Sequence, residues 1–175
     1  KNKFMEFVGP GVASLSADCR NGIDCMTTET TCWSSIWQTD GVTEEYLAGH
    51  GRADAYKELK PADVAYYDGC IELDLSKIEC MIALPMHPSY AYPIRELKAN
   101  AKDLLHEIET RANEQLSGKV KMDLVSKVRA DGSIYVDQGI VAGCSGGTYE
   151  NLCAVADILR GKSCGNGEFK FSAYP

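Results

Sequence analysis

Hydrophobic and polar positions in the first part of the chain predict short strands alternating with short helices. The stretch MEFVGPGVASLS reads as a short strand followed by a Gly-Pro-Gly turn. A helix is expected from about residue 14 to residue 27, and CWSSIWQ is expected to be extended. After a turn at Asp40, Thr43 is expected to cap a short helix, because a hydroxyl can accept the free N–H groups of a first helical turn. This part of the chain therefore predicts strand, helix, strand and helix.

The same alternation continues through the second part of the chain. IELDLS alternates like a strand, and the segment from about Arg95 to Leu116 has apolar residues at helical spacing with charges opposite. GSIYVDQGIVAGC is strand-like, TYENLCAVADILRG is amphipathic and FKFSAYP alternates again. This order predicts an α/β fold with a mostly parallel sheet. The second amphipathic helix is expected to bury four apolar side chains: Leu152, Val155, Ala156 and Leu159.

Length and charge limit the classes of protein that this chain can represent. Its 175 residues fit one domain or slightly more, and 45% hydrophobic with 25% charged residues is typical of a soluble globular chain. The net charge of −7 argues against binding to nucleic acid or to an anionic membrane surface. No apolar run in the sequence is long enough to span a membrane. We expect a cytoplasmic protein without a nucleic-acid or membrane partner.

Eight cysteines are an unusual number for a chain of this length. An even count is compatible with a secreted disulfide scaffold, but a chain this long does not need bridges, and no export signal is visible. We therefore expect reduced, intracellular thiols. Cys80 and Cys153 lie in apolar stretches, where a free cysteine packs like a small hydrophobic residue. The full set is Cys19, Cys25, Cys32, Cys70, Cys80, Cys144, Cys153 and Cys164.

Among the eight cysteines, Cys144 is the main candidate for a functional residue. It lies between an apolar run and a predicted helix in VDQGIVAGCSGGTYENL. Ligands of α/β sheets gather where strands end and helices begin, and glycines there let the backbone approach a ligand closely. Free N–H groups at a helix start favour negative charge, so they favour the thiolate form of such a cysteine. The same pattern is also compatible with a small residue packed at a tight turn.

Three functions remain open for Cys144 from the pattern alone. A nucleophilic cysteine needs a histidine as its base, and His50, His87 and His106 carry no recognisable signature. A phosphate loop would need Lys-Ser or Lys-Thr after the glycines, or a GxGxxG pattern, and neither is present in the sequence. An iron–sulfur ligand needs a thiolate in a pocket that accepts sulfur, which a glycine-lined turn provides.

Five segments resemble, in order, segments of the aconitase family of hydro-lyases. EFVGPGVASLSADCRNGIDCMTTE resembles a Gly-rich strand that leads into a helix ending near Met-x-x-Glu. SIWQTDGVTEEYLAGHGRADAY is similar to the family's stretch with Tyr-Leu-x-x-x-Gly-Arg-Ala-Asp. IELDLSKI is similar to its Glu-x-Asp/Asn-Leu-Ser strand, AYPIREL to its His/Tyr-Pro-Val/Ile, and GCSGGTYENL to its Gly-Ser-Cys-Thr-Asn segment. The five motifs occur in the same order as in the family and extend from residue 6 to residue 152.

The resemblance implies an aconitase-type three-layer α/β domain with a mostly parallel sheet. Residues 1–67 would be the end of the preceding α/β domain, and residues 68–175 the start of the cluster-binding domain. Cys144 would be the first of three cysteine ligands of a [4Fe–4S] cluster, and Glu29 the catalytic glutamate beside it. The iron without a cysteine ligand would act as a Lewis acid in the reversible dehydration of a hydroxy-polycarboxylic acid, with a nearby acid assisting the loss of hydroxide.

The chain departs from the family at positions beside the expected site. Cys25 stands where aconitases usually have Asn, and Ser145 with the two glycines after it replaces Thr-Asn and its neighbour. Both changes remove side-chain hydrogen-bonding groups where the substrate is expected, so Cys25 and Ser145 are the candidate substrate-binding residues. A diverged hydratase acting on another hydroxy acid is therefore as plausible as a citrate enzyme.

The remaining parts of such a site are expected outside this chain. No Cys-x-x-Cys pair follows Cys144 in the sequence, and the family's amino-terminal catalytic segment and late mobile domain have no counterpart here. We therefore expect an internal part of a longer enzyme, without its cluster and inactive alone. Its partners would be the flanking domains of the same polypeptide and a small hydroxy-carboxylic acid. A metal-free anion-binding α/β module and a thiol enzyme that uses Cys144 are the alternatives.

Overall fold

The computed structural model describes residues 1–165 and 167–175, and this part of the chain divides into two compact units. The first unit contains residues 1–73, 140–165 and 171–175. The second unit contains residues 74–139 and 167–170. The predicted domain boundary after residue 67 stays a prediction.

The described residues contain six short strands interspersed with six α-helices, and the predicted α/β fold is confirmed. β1 and β2 pair in parallel, β3 and β4 pair antiparallel, and β5 pairs with β6. The strands are β1 (Phe4–Phe7), β2 (Ser34–Trp37), β3 (Met81–Ala83), β4 (Ala91–Pro93), β5 (Gln138–Val141) and β6 (Lys170–Ala173). The helices are α1 (Ala17–Met26), α2 (Gly41–Gly49), α3 (Ile94–Ala99), α4 (Ala101–Gln115), α5 (Gly143–Gly146) and α6 (Tyr149–Leu159). Within the described residues, no helix is both long and apolar enough to cross a membrane.

Side-chain caps fix the starts of the two helices of the first unit. The hydroxyl of Ser16 accepts the N–H of Cys19, which satisfies one free donor at the start of α1. At the start of α2, the carboxylate of Asp40 accepts the N–H groups of Val42 and Thr43, at 3.1 and 3.2 Å. The prediction that Thr43 caps this helix is wrong, because the carboxylate three residues earlier reaches the free donors first.

A buried arginine holds the first unit together where few apolar side chains are buried. Arg20 on α1 is only 4% exposed, and its guanidinium donates to both carboxylate oxygens of Asp40, at 2.8 and 2.9 Å. The same guanidinium donates to the backbone carbonyls of Val12 and Leu15. A buried guanidinium is tolerated only when its donors are satisfied, and these four bonds meet that condition.

The long helix predicted from about Arg95 to Leu116 is divided into α3 and α4 at Asn100. Asn100 leaves helical geometry, with φ −126° and ψ 33°. The apolar face of the two helices nevertheless forms the core of the second unit, where Ile108 is fully buried. Leu84, Leu97 and Leu105 are the other buried members of this core.

Two other expectations about burial and secondary structure are wrong. The IELDLS segment is not a strand, because it leads into a 3₁₀ turn at Leu75–Lys77 that the side chain of Asp74 caps. The predicted core face of α6 is only partly covered, with Leu152, Val155 and Leu159 half-buried and Ala156 exposed. All eight cysteines are free thiols, and Cys80 and Cys153 are exposed rather than packed in apolar surroundings.

Candidate functional site

Cys144 lies at the start of the short helix α5, directly after the connection from β5, and a strand-to-helix position is what the sequence predicts. The residue before it, Gly143, has φ +80°, a conformation in which residues with a side chain are strained. The thiol of Cys144 is exposed. A Cβ added at Gly143 or at Gly146 would meet no atom within 4 Å, so both glycines leave open space beside the thiol.

Gly147 ends this turn and is required by close packing rather than by its backbone angles. A Cβ at this position would lie 2.3 Å from the carbonyl oxygen of Tyr174 and 2.9 Å from the backbone nitrogen of Gly143. Tyr174, just after β6, donates its N–H to the carbonyl of Val141 at 2.9 Å. The chain after β6 therefore closes over the glycine turn and fixes its path.

Helix α1 contacts the same turn through one of its faces. Gly22 and Cys25 lie one helical turn apart, so they share a face of the helix. A Cβ at Gly22 would lie 3.4 Å from the carbonyl oxygen of Ser145, and Sγ of Cys25 lies 3.5 Å from the carbonyl oxygen of Cys144. The structure therefore brings Cys25 to Cys144, although 119 residues separate them in the sequence.

The thiols of Cys25 and Cys144 interact with each other. The hydrogen bond with the Cys144 side chain raises the pKa of the Cys25 thiol above its ordinary value, and partial burial and the nearby Asp24 carboxylate act in the same direction. Negative charge on one sulfur disfavours negative charge on its neighbour. Cys25 is accordingly a half-buried thiol with a raised pKa, next to the exposed residue Cys144.

The starts of α1 and α6 cap each other beside the cysteine pair. The carboxylate of Asp18 accepts the N–H of Glu150 at 2.9 Å, and the hydroxyl of Ser16 donates to the Glu150 carboxylate. Thr148, which precedes α6, makes no side-chain cap of its own. Residues of α1 therefore supply the cap that α6 lacks, and they fix the turn that carries Cys144.

The two other predicted site residues have different surroundings. Ser145 follows Cys144 directly, and its carbonyl accepts a hydrogen bond from the amide of Asn151 at 3.1 Å. It also lines an open apolar groove of about 370 Å³, together with Ile140, Ala142, Val155 and Ile158. Glu29 is exposed in the turn after α1, where its carboxylate accepts the hydroxyl proton of Thr28 at 2.8 Å. The structure thus joins Ser145 and Cys25 to Cys144, and Glu29 makes its hydrogen bonds within its own turn.

The donor set at this turn suits part of a metal centre rather than a whole one. Cysteine sulfur is the donor that iron–sulfur clusters use, and Cys144 has its side chain at an open surface. Within residues 1–165 and 167–175, no group of three His, Cys, Asp or Glu side chains is placed to hold a metal ion. The site therefore fits one corner of a cluster whose other ligands would come from elsewhere.

The fold is α/β, and an exposed cysteine lies where one of its strands leads into a helix. Comparison with known families makes this more specific: the sequence model of the aconitase family (aconitate hydratase) matches residues 1–175. The chain therefore belongs to the aconitase family.

Individual relatives come from the dehydratase branches of this family. The chain is 30% identical over 163 residues to the 2,3-dimethylmalate dehydratase large subunit of Eubacterium barkeri, a match that covers 93% of this chain and 31% of that protein. It is 28% identical over 165 residues to the 3-isopropylmalate dehydratase large subunit of Caldicellulosiruptor bescii, covering 94% of this chain and 30% of that protein. The chain thus spans less than a third of the length of these relatives.

The sequence also contains a signal for the contact between α1 and the turn after Cys144. Gly22 lies inside a helix, where glycine costs about 1 kcal/mol relative to alanine, and such a glycine often marks a close approach of another backbone. That approach is made by the turn after Cys144. The cap between Asp18 and Glu150 has no such signal, because an acidic residue in a first helical turn is common for other reasons.

Proposed function

We propose that the polypeptide containing this chain is an aconitase-type hydro-lyase that reversibly removes water from a hydroxy-carboxylic acid at a [4Fe–4S] cluster. The observation that carries the proposal is the exposed thiol of Cys144 on a glycine turn, in a chain that belongs to the aconitase family over its whole length. Free thiols throughout the chain agree with a reducing compartment, and we propose the cytoplasm.

We propose a malate-type hydroxy diacid as the substrate class. The relatives from Eubacterium barkeri and Caldicellulosiruptor bescii are named for 2,3-dimethylmalate and 3-isopropylmalate, which are alkyl-substituted malates. A hydrophobic surface beside the reacting carbon would suit such a substituent, and the groove lined by Ile140 and Val155 lies next to Ser145. Because these relatives are named large subunits, a separate smaller subunit is a proposed partner, together with the rest of the polypeptide.

Three side chains of this chain would act in the reaction. Cys144 would hold one iron of the cluster through its thiolate, and Ser145 would face the substrate from the same turn. A bound cluster supplies a Lewis acid, which makes hydroxide a better leaving group. Glu29 would hold or release a proton at its exposed carboxylate, with the Thr28 hydroxyl orienting that carboxylate.

Membership in the aconitase family over residues 1–175 supports a ligand role for Cys144 over a nucleophilic one. A nucleophilic thiol would require a histidine as its base, and the family resemblance assigns no such histidine to this turn.

Catalysis by the full-length protein tests the proposal directly. The protein, purified without oxygen, is incubated with 2,3-dimethylmalate and with 3-isopropylmalate, and formation of the unsaturated acid is followed by ultraviolet absorbance. We expect turnover with at least one of them, and a loss of about a hundredfold or more in Glu29→Gln, the range that an acid–base group contributes. Glu45→Gln, an exposed glutamate on α2, is the matched control and should turn over normally. Full activity in Glu29→Gln would contradict the role of Glu29.

A further inference from the structure

Cys25 and Cys144 form a pair of thiols within the first unit, held by two separate backbone contacts. Sγ of Cys25 lies 3.5 Å from the backbone carbonyl oxygen of Cys144, close enough for a hydrogen bond from the thiol. One turn earlier on α1, Gly22 brings the helix to the carbonyl of Ser145. Two contacts therefore hold α1, which carries Cys25, against the backbone of Cys144 and Ser145.

The two thiols differ in their access to solvent. Cys144 is exposed, whereas Cys25 is half-buried. A small oxidant that enters from solvent therefore reaches the sulfur of Cys144 first. Sγ of Cys25 lies against the backbone of the same residue, 3.5 Å from its carbonyl oxygen, which is the position of a resolving thiol. A resolving thiol traps a cysteine that has been oxidised to the sulfenic acid.

We propose that Cys25 and Cys144 form a reversible disulfide when the site holds no metal. Hydrogen peroxide transfers one oxygen atom to the Cys144 sulfur, which gives a sulfenic acid and releases water. The sulfur of Cys25 then attacks the Cys144 sulfur, the S–O bond breaks, and a second water leaves with the proton of the Cys25 thiol. Both cysteines are oxidised by one electron each, and the peroxide is reduced to two molecules of water.

The disulfide protects the Cys144 sulfur from irreversible oxidation. Without a neighbouring thiol, a sulfenic acid proceeds under excess peroxide to the sulfinic acid, which ordinary thiol reductants do not reverse. With Cys25 beside it, a dithiol reductant restores both thiols. The effect on iron uptake rests on the function proposed above: oxidised protein would not load metal at Cys144 until it has been reduced.

Peptide mapping of the full-length protein tests this inference. The protein is prepared free of iron with a chelator, treated with hydrogen peroxide, blocked with iodoacetamide and digested without reductant. We expect a linked pair of peptides containing Cys25 and Cys144, lighter than the separate peptides by two hydrogen atoms, which disappears after dithiothreitol. In Cys25→Ser we expect loss of this pair and accumulation of the sulfinic form of Cys144.

A cysteine on the same helix provides the matched control. Cys19 on α1 is exposed, and Cys19→Ser should leave the linked pair unchanged. If unlinked Cys144 is converted to the sulfinic acid equally fast in wild type and in Cys25→Ser, the inference is wrong.

Should Cys25→Ser not fold, the wild-type map decides alone, since the linked peptides are either present or absent. A linked pair in a protein that never binds iron at Cys144 would refute the proposed function only, and an iron protein without the pair would refute this inference only.

Discussion

The carboxylate of Asp18 on α1 accepts the backbone N–H of Glu150 on α6 at 2.9 Å, across 132 positions of sequence. This bond replaces the side-chain cap that Thr148 does not make. It connects the helix that carries Cys25 to the helix that follows Cys144. The geometry of the candidate site therefore depends on a contact outside the two cysteines.

Removing this cap should loosen the start of α6. Asp18→Ala leaves the N–H of Glu150 without its acceptor, and loss of a cap costs about 1 kcal/mol. A loss of about 1 kcal/mol raises the equilibrium constant for local opening about fivefold. We therefore expect amide hydrogen exchange in the peptide around residues 149–152 to become about fivefold faster. Asp63→Ala removes a carboxylate from an exposed position and should leave this exchange unchanged. Equal exchange in wild type and Asp18→Ala would show that the cap has no structural role.

The buried pair of Arg20 and Asp40 should contribute far more to stability than a surface pair. Arg20→Met leaves the Asp40 carboxylate without its partner, which costs about 3 kcal/mol or more. Arg160 and Asp157 form an exposed pair on α6, so Arg160→Met should cost less than about 1 kcal/mol. Urea-induced unfolding, followed by tryptophan fluorescence that includes Trp37, measures the free energy of unfolding of each variant. Similar midpoints for the two variants would contradict this assignment.

Acid should remove part of that stability through Asp40. The Arg20 guanidinium lowers the pKa of Asp40 below its ordinary value of 3.8, and the N–H groups of Thr43 and Val42 add to this, against the opposing effect of burial. A carboxyl whose folded pKa is lowered stabilises the fold above its unfolded pKa, and this contribution is lost as the pH falls through the folded value. We therefore expect wild type to lose stability below about pH 4 more steeply than Asp40→Asn. Parallel acid unfolding curves, recorded by circular dichroism, would contradict this.

Two adjacent glycines should respond oppositely to alanine. Gly147→Ala places a methyl group 2.3 Å from the Tyr174 carbonyl, and such overpacking against backbone costs about 1–3 kcal/mol. Gly146→Ala meets no atom within 4 Å and should be tolerated or slightly stabilising, since alanine favours helix. Thermal unfolding of the two variants gives the comparison. A lower melting temperature for Gly146→Ala than for Gly147→Ala would contradict the close packing of the chain after β6 against Gly147.

Sequence patterns located most elements of the first unit and the turn around Cys144. Alternating residues and glycines are local signals, and β1, α1, β2 and the β5–α5 turn all lie where these signals place them. The break at Asn100 was missed because the apolar spacing of α3 continues into α4 across it. The asparagine side chain bonds readily to nearby backbone groups, which disfavours helix. This weak tendency was the only local sign that the helix is interrupted at Asn100.

The arrangement of the candidate site was not accessible from local patterns. The contact between Cys25 and Cys144 depends on how α1 packs against the turn, and no periodicity encodes that packing. Arg20 shows the same limit, because an arginine in a helix is usually solvated and here is almost fully buried. Pattern and family resemblance together indicated Cys144 and placed Cys25 near the expected site, whereas the direct contact between Cys25 and the backbone of Cys144 came only from the folded chain.

The iron content of the full-length protein, purified without oxygen and with full iron supply, tests the central claim most directly. We expect wild type and Cys19→Ser to be brown, with iron and sulfide bound, and Cys144→Ser to lose most of both. Cys144 would then be a cluster ligand, as the exposed thiol on its glycine turn indicates. A colourless wild-type protein, or a Cys144→Ser variant with an undiminished complement of iron, would contradict the account.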